Sequence, residues 1–205
     1  MQSPVNPGSV VWSGDNPGIY LKDAQDQWQT LAVYFRVVTS PYGAGQGMLV
    51  LGDPFNAQGW PQARNVFVSN HPTLMQWLVK EFVSRFASFR AASGLQAVTH
   101  ITADRLETTG DGVSFHQEKL SGSGVEVCLR WEDLATPFAV DVPPAQSATG
   151  QHQMYSVFVE AKKGSVMLNG QSLGGQVIIR DFLGRRMSTS FLAFSETWVQ
   201  PTAAN

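Results

Sequence analysis

Short segments with apolar or alternating side chains recur along the chain, and turn residues separate them. GIYLK, GMLVLG and RNVFVS, at 18–22, 47–52 and 64–69, are examples, with clusters of Gly, Pro and Asn between such segments. A period of two between like side chains is typical of β-strands, and such clusters mark turns. With roughly ten strands of this kind, the sequence predicts a mainly β fold.

One segment, LAVYFRVV at 31–38, is apolar on both of the faces that a strand would present. Alternate side chains of a strand point to opposite sides of the sheet. A strand that is apolar on both sides is buried on both sides, which predicts a central strand. The two faces would carry Leu31, Val33, Phe35 and Val37 on one side, and Ala32, Tyr34, Arg36 and Val38 on the other.

A single segment has helical periodicity and predicts a helix over about 71–93. Asn70 is a candidate N-cap, Pro72 suits the first turn, and Gly94 is placed to end the helix. An apolar stripe at helical spacing indicates packing against a sheet, and a partner-binding stripe is the alternative. The stripe consists of Leu74, Leu78, Phe82, Phe86 and Phe89.

Strands joined by short turns pair antiparallel, and a long meander must protect its edges. We therefore predict an antiparallel barrel or a strongly curved β-sandwich with one long amphipathic helix packed against it. The expected organisation is a single β-rich domain over 1–205, with a surface loop or weak boundary at 135–152. This plan is similar in architecture to the lipocalins and is in that sense calycin-like. VVWSGDNPG has Val10 where the lipocalin GxW start has glycine, so the resemblance does not extend to the family.

Composition excludes several function classes. Only 15% of the 205 residues are charged and the net charge is −2, which disfavours a nucleic-acid partner because binding of polyanions needs clustered Lys and Arg. No apolar stretch approaches the roughly 20 residues of a membrane span, and Cys128 has no second cysteine to pair with. We expect a cytoplasmic protein without a membrane span, and homo-oligomers are compatible with this composition.

Motifs for cofactors and metals are missing from the sequence. It contains no phosphate-binding GxxxxGK[ST], no GxGxxG after a strand and no HExxH. The four histidines are far apart and have no ligand spacing. We therefore predict neither a cofactor nor a metal site.

The TGDG turn directs attention to a polar cluster. If Gly110 and Asp111 form a two-residue turn, Arg105 lies opposite His116, with Glu118 on the same face. A histidine between an arginine and a carboxylate can act as general acid or base, so these three are the candidate catalytic residues. The alternative is a solvated outer face with cross-strand charge pairs.

The closing hairpin places an arginine on an apolar face. With Gly184 and Arg185 as the turn, Arg180 lies opposite Thr189. An arginine there requires an anion, either a protein carboxylate such as Glu160 or Glu196 or that of a bound ligand. The alternative is that the other, polar face of this hairpin lines a cavity, and that face carries Asp181, Ser188, Ser190 and Glu196. The candidate ligand-binding residues are Arg180, Phe182, Met187, Thr189 and Phe191, with Arg130 and Trp131 of the strand VEVCLRW.

Three function classes fit these features. The first is a small-molecule binding protein with an apolar cavity for a hydrophobic or amphipathic ligand that carries a carboxylate. The second is a cofactor-independent isomerase, cyclase or lyase that uses His116. The third is an interaction or assembly protein whose helix, or whose loop GDPFNAQGWPQ, provides the adhesive surface. We rank binding first.

Overall fold

The computed structural model describes residues 7–202, and these are mainly β with one short α-helix, α1 (Pro72–Glu81). Three short 3₁₀ turns lie at Val83–Arg85, Ser93–Ala97 and Pro144–Gln146. The strands are β1 (Gly8–Asp15), β2 (Gly18–Lys22), β3 (Trp28–Thr39), β4 (Gly45–Leu51), β5 (Asn65–Ser69), β6 (Thr99–Thr102), β7 (Arg105–Gly110), β8 (Phe115–Gly122), β9 (Val125–Leu134), β10 (Phe138–Val142), β11 (Gln153–Leu168), β12 (Gln171–Ser172), β13 (Ile179–Phe182), β14 (Arg185–Ser188) and β15 (Ser190–Pro201).

Thirteen of these strands form one large sheet. Its main path runs β6-β5-β4-β3-β1-β15-β11-β9-β8-β7, with β2, β10 and β12 attached beside it, and β13 pairs with β14 in a separate hairpin. β5 and β6 pair in parallel and the other pairs are antiparallel. The prediction of a wholly antiparallel sheet is therefore wrong at this edge, because the segment with α1 and two 3₁₀ turns crosses over between β5 and β6.

The sheet curls so strongly that its two ends face each other. An inner cluster joins Val68 of β5 to Leu120 of β8 and Trp131 of β9, strands that are far apart in the sheet. The edges approach at 103–104, where the Ala103 amide donates to Ser69 O at 2.7 Å and the Asp104 amide to Ser121 O at 2.9 Å. β6 and β7 form no ladder, so the sheet is not a closed barrel and that form of the prediction is wrong.

The opposite, outer face of the sheet carries a second apolar layer. Leu31, Val33 and Phe35 of β3 belong to this outer cluster, whereas Ala32 and Tyr34 belong to the inner one. All five side chains are buried, as the composition of this strand predicts. The outer cluster is covered by α1, by the segment that follows it, and by β10 and the β13–β14 hairpin.

The helix is shorter than predicted. His71 caps it instead of Asn70, since His71 Nδ1 accepts from the Leu74 amide at 3.2 Å and Asn70 Oδ1 accepts from the Gln46 amide at 2.7 Å. After Glu81 the chain continues in 3₁₀ and turn conformation, with Phe89 buried in the outer cluster. Phe, Ser and Val are weak helix formers, so packing on the curved sheet decides the path.

The predicted loop or boundary at 135–152 includes a strand. Residues Phe138–Val142 pair with Met154–Phe158 of β11 as β10. Phe138 stacks on Phe158, with ring centroids 6.1 Å apart. Alternation in FAVDV supports this strand, but the flanking prolines obscure it in the sequence.

The hairpin predicted at TGDG forms, but its turn is longer than the two residues expected, whereas Asn169 and Gly170 form a two-residue turn. Asn169 and Gly170 both have positive φ, 49° and 74°, as a two-residue turn between β11 and β12 requires. In the other hairpin Gly110 pairs with His116, and Arg105 pairs with Ser121. Asp111 Oδ1 accepts the amides of Val113 and Ser114 at 2.9 and 2.7 Å, which stabilises a longer loop and shifts the register.

Candidate functional site

A cavity of about 300 Å³ lies on the outer face of the sheet. Its walls come from the β13–β14 hairpin, the segment after α1, the loop after β10, and strands β2, β11 and β15. Six of the lining residues are aromatic: Tyr20, Phe86, Phe158, Phe182, Phe191 and Trp198. Its polar lining includes two hydrogen-bonded pairs, Arg180 with Ser88 and Glu196 with Asn16. Arg90, Gln146, Ser147 and Asp181 line it as well.

Arg180 is held by aromatic rings. Its Cζ lies 5.4 Å from the ring centroid of Tyr20 and 5.7 Å from that of Phe182. Nη1 donates a long 3.4 Å hydrogen bond to Ser88 Oγ, and the buried Nε has no hydrogen-bond partner. Within residues 7–202, no carboxylate forms an ion pair with Arg180. A guanidinium at this site therefore has unused donors and an uncompensated charge.

The two protein carboxylates considered as partners for Arg180 are engaged elsewhere. Glu160 Oε1 accepts the Ser188 amide at 2.8 Å. Glu196 Oε1 accepts from Trp198 Nε1 at 2.7 Å and from Asn16 Nδ2 at 3.1 Å. An ion pair of Arg180 with a protein carboxylate, one of the two alternatives from the sequence, is absent from the described part of the chain.

Glu196 is 3% exposed and its ionisation is perturbed. Burial raises the pKa of Glu196 from 4.5 to about 7, although the hydrogen bonds from Trp198 and Asn16 oppose the shift. Burial also raises the pKa of Tyr20, which Arg180 lowers and Glu196 raises. Asn16 Oδ1 is buried and has no hydrogen-bond partner.

A β-bulge in β15 brings Glu196 to the face of Phe191. The register of β11 with β15 shifts between Tyr155 and Val157, and Ser195 has a positive φ of 52°. An extra residue reverses the alternation, so Glu196 and Trp198 join Phe191 at the cavity. Strict alternation places Glu196 on the other side of the strand, and that expectation is wrong.

The hairpin register differs from the predicted one by two residues in the pairing. Leu183 and Gly184, with φ of 55° and 76°, form the turn, and Arg180 pairs with Met187. An even shift leaves the faces unchanged, so Arg180, Phe182 and Met187 still share one side. Arg180 lies opposite Met187 instead of Thr189.

Not all the predicted ligand-binding residues meet. Arg180, Phe182 and Phe191 line the cavity, whereas Met187 is buried in the outer cluster outside the lining. Thr189 is structural, since its Oγ1 donates to Tyr20 O at 2.7 Å. The remaining two residues lie elsewhere. Trp131 belongs to the inner cluster, and its Nε1 donates to Gly18 O at 3.0 Å. Arg130 contacts the Phe115 ring and Glu132.

Of the candidate catalytic residues, two are in contact. His116 Nε2 lies 2.8 Å from Glu118 Oε1, and Thr108 Oγ1 donates to Glu118 Oε2 at 2.7 Å. Arg105 pairs with Glu107 and, because of the register shift, is not the cross-strand neighbour of His116. His116 and Glu118 do not line the 300 Å³ cavity.

Sequence reasoning missed Asn16, Ser88 and Trp198. Asn16 follows β1 (Gly8–Asp15), a strand that the sequence analysis did not predict. Ser88 lies in the segment read as helix. Trp198 could have been predicted from its position two residues after Glu196, since alternate residues of a strand share a face.

Comparisons with protein-family models, with curated proteins and with solved structures found no match for this chain. Across residues 7–202, no helix combines the length and hydropathy of a membrane span.

Proposed function

We propose that the protein binds a small amphipathic ligand in the 300 Å³ cavity and that Arg180 holds an anionic group of that ligand, with a carboxylate as the simplest case. The observation that carries the proposal is the buried, unpartnered Nε of Arg180 at an aromatic cavity. Burial of a charge without an anion is unfavourable, and a ligand carboxylate would supply the missing partner.

The size and lining of the cavity support a small ligand. Ligand pockets commonly measure about 300–1,000 Å³ and combine apolar walls with a few polar groups that fix orientation. At about 300 Å³ this cavity is at the lower end of that range. Its aromatic walls suit an apolar body, and Arg180 suits a charged head.

The resemblance to lipocalins is not needed for this proposal. If the sheet were a lipocalin-like barrel, the ligand would occupy the interior of the barrel. Here that interior holds the inner cluster, with Leu129 and Trp131 fully buried, and the cavity lies on the opposite face.

Native mass spectrometry tests the proposal, with and without organic extraction of the protein. We expect a co-purified small acid that extraction removes, and expect Arg180→Gln to lose most of it. Arg186→Gln is the matched control, because Arg186 is exposed on the same hairpin and does not line the cavity. Equal retention by both variants would contradict the role of Arg180.

A second candidate function is acid–base catalysis by His116. It is supported by the 2.8 Å contact with Glu118 and by Thr108 on the other carboxylate oxygen, an arrangement that orients an imidazole. For this candidate, we expect His116→Ala to abolish turnover and His100→Ala to retain it.

An interaction surface is the third candidate. Phe55, in the loop GDPFNAQGWPQ, is 52% exposed, whereas the apolar stripe of α1 is buried.

A further inference from the structure

We propose that the ligand is bipolar, with an anionic group at Arg180 and a hydrogen-bond donor, such as a hydroxyl or an ammonium, at Asn16 and Glu196. This inference rests on the proposed function and deepens it, because it specifies a second recognition group in the same cavity.

Two pairs of polar residues in the cavity are hydrogen-bonded, Arg180 with Ser88, here called the donor end, and Asn16 with Glu196, here called the acceptor end. Arg90, Gln146, Ser147 and Asp181 also line the cavity. At the donor end, the buried Nε of Arg180 has no hydrogen-bond partner, and Nη1 donates to Ser88 Oγ at 3.4 Å. An arginine has donors only, so its partner there must be an acceptor. An anionic oxygen gives the strongest hydrogen bonds to a guanidinium.

At the acceptor end, two side-chain donors of the protein already bind Glu196. Trp198 Nε1 and Asn16 Nδ2 both donate to Glu196 Oε1. Trp198 has a single donor, and the amide orientation of Asn16 is fixed because Nδ2 must face the carboxylate oxygen. This leaves Asn16 Oδ1 as a buried acceptor without a partner, in a side chain that is 5% exposed and lines the cavity.

Glu196 adds a second acceptor to this end. Neither of the hydrogen bonds from Trp198 and Asn16 uses Oε2, and Glu196 lines the cavity. A ligand acceptor placed here would face oxygen atoms with lone pairs, which is unfavourable. A ligand donor would instead form a hydrogen bond to Asn16 Oδ1 or Glu196 Oε2. Because a buried acceptor without a hydrogen bond is unfavourable, such a bond would favour binding.

Three series of aryl acids test this inference in calorimetric titrations of the full chain near pH 8, where Glu196 is largely ionised. The unsubstituted series consists of phenylacetate, 3-phenylpropanoate and 4-phenylbutanoate, whose side chains contain two, three and four carbons, with the carboxyl carbon included. Each acid is compared with its para-hydroxy and para-methoxy forms. The hydroxyl is a donor, whereas the methoxy group is only an acceptor, and the set of lengths covers different separations of the two ends.

We expect the para-hydroxy acid of at least one length to bind about ten-fold tighter than the unsubstituted acid, and the methoxy acid to bind no tighter. Glu196→Gln, which keeps the shape and the acceptor for Trp198, should remove most of the hydroxyl gain while binding of the unsubstituted acid persists. Thermal unfolding of the variant in the absence of ligand verifies that it is folded.

The outcomes separate the two proposals. If the unsubstituted acids bind and depend on Arg180, but hydroxyl groups add nothing at any length or add equally in Glu196→Gln, the bipolar ligand is overturned and the proposed function stands. If none of the acids binds to the wild-type protein, the proposed function fails and the bipolar ligand fails with it.

Discussion

At the scale of single residues, Arg180 and Glu196 show what a sequence can and cannot predict. Arg180 is unusual in the sequence because it shares a predicted strand face with Phe182 and Phe191. The predicted register of this hairpin was wrong by two residues, and an even shift leaves Arg180 on the same face. The predicted pairing of Arg105 with His116 was wrong, because the loop at Asp111 shifts the register of that hairpin by an odd number of residues. The sequence therefore singled out Arg180 as a candidate site residue, but it did not predict which atoms surround it.

The ionisation of Glu196 gives a prediction on stability. Its pKa is raised from 4.5 to about 7 in the folded protein, so the folded state binds the proton more tightly than the unfolded state. The stabilisation is fully present below pH 4.5 and is lost as pH rises through 7. We expect a loss on the order of 3 kcal/mol from this group between these limits.

Glu196→Gln should lack this loss. Urea unfolding at several pH values between about 4.5 and 8 measures it as the difference between the variant and the wild type. The pKa values of His100 and His152 are lowered by burial and contribute an opposite trend, but both residues are present in both proteins. Glu126→Gln, at a partly exposed site, is the control and should keep the wild-type pH dependence. A wild-type slope in Glu196→Gln would contradict burial of an ionisable group at this site.

At the scale of elements, two irregularities decide where the site forms. The first is the early end of α1, which lets the following segment pass over the sheet and bring Ser88 to Arg180. The second is the bulge at Ser195, which reverses the face of the last part of β15. Neither has a Gly or Pro as a signal in the sequence, since packing and pairing with neighbouring strands cause both. Regular periodicity therefore predicts the elements better than their faces.

The bulge makes Ser195 sensitive to the type of side chain. At φ of 52° a β-branched residue is strained, whereas glycine is not. We expect Ser195→Val to lower the free energy of unfolding by about 1–2 kcal/mol and Ser195→Gly to leave it equal or higher by up to about 1 kcal/mol. Both variants keep the backbone amide that donates to Asp15 Oδ1 at 3.0 Å. Equal urea midpoints for the two would contradict a left-handed conformation at this residue.

At the scale of the whole molecule, one curled sheet separates two apolar clusters. The sequence of 31–38 predicted a strand buried on both sides, and Leu31 and Tyr34 are buried on opposite faces of β3. It did not predict which side is filled and which contains a cavity. That difference depends on how several distant segments cover the outer face, which no local pattern encodes.

Because β3, β11 and β15 contribute to both clusters, we expect the clusters to unfold together. Phe89→Ala in the outer cluster and Leu129→Ala in the inner cluster should each lower the free energy of unfolding by about 2–5 kcal/mol. Each should move the same single transition, followed by far-ultraviolet circular dichroism and tryptophan fluorescence in urea. Val113→Ala, at a side chain that is 77% exposed, should change it little. Two separate transitions, each moved by one variant, would contradict a common structural unit.

The most direct test of the account is calorimetric titration of phenylacetate, 3-phenylpropanoate and 4-phenylbutanoate into the wild type, Arg180→Gln and Arg186→Gln. We predict one saturable site in the wild type, a similar affinity in Arg186→Gln, and an affinity at least about ten-fold weaker in Arg180→Gln, because the anion loses its charge-assisted hydrogen bonds. The account is contradicted if the wild type has no saturable site for any of the three acids, or if the two variants bind them equally well.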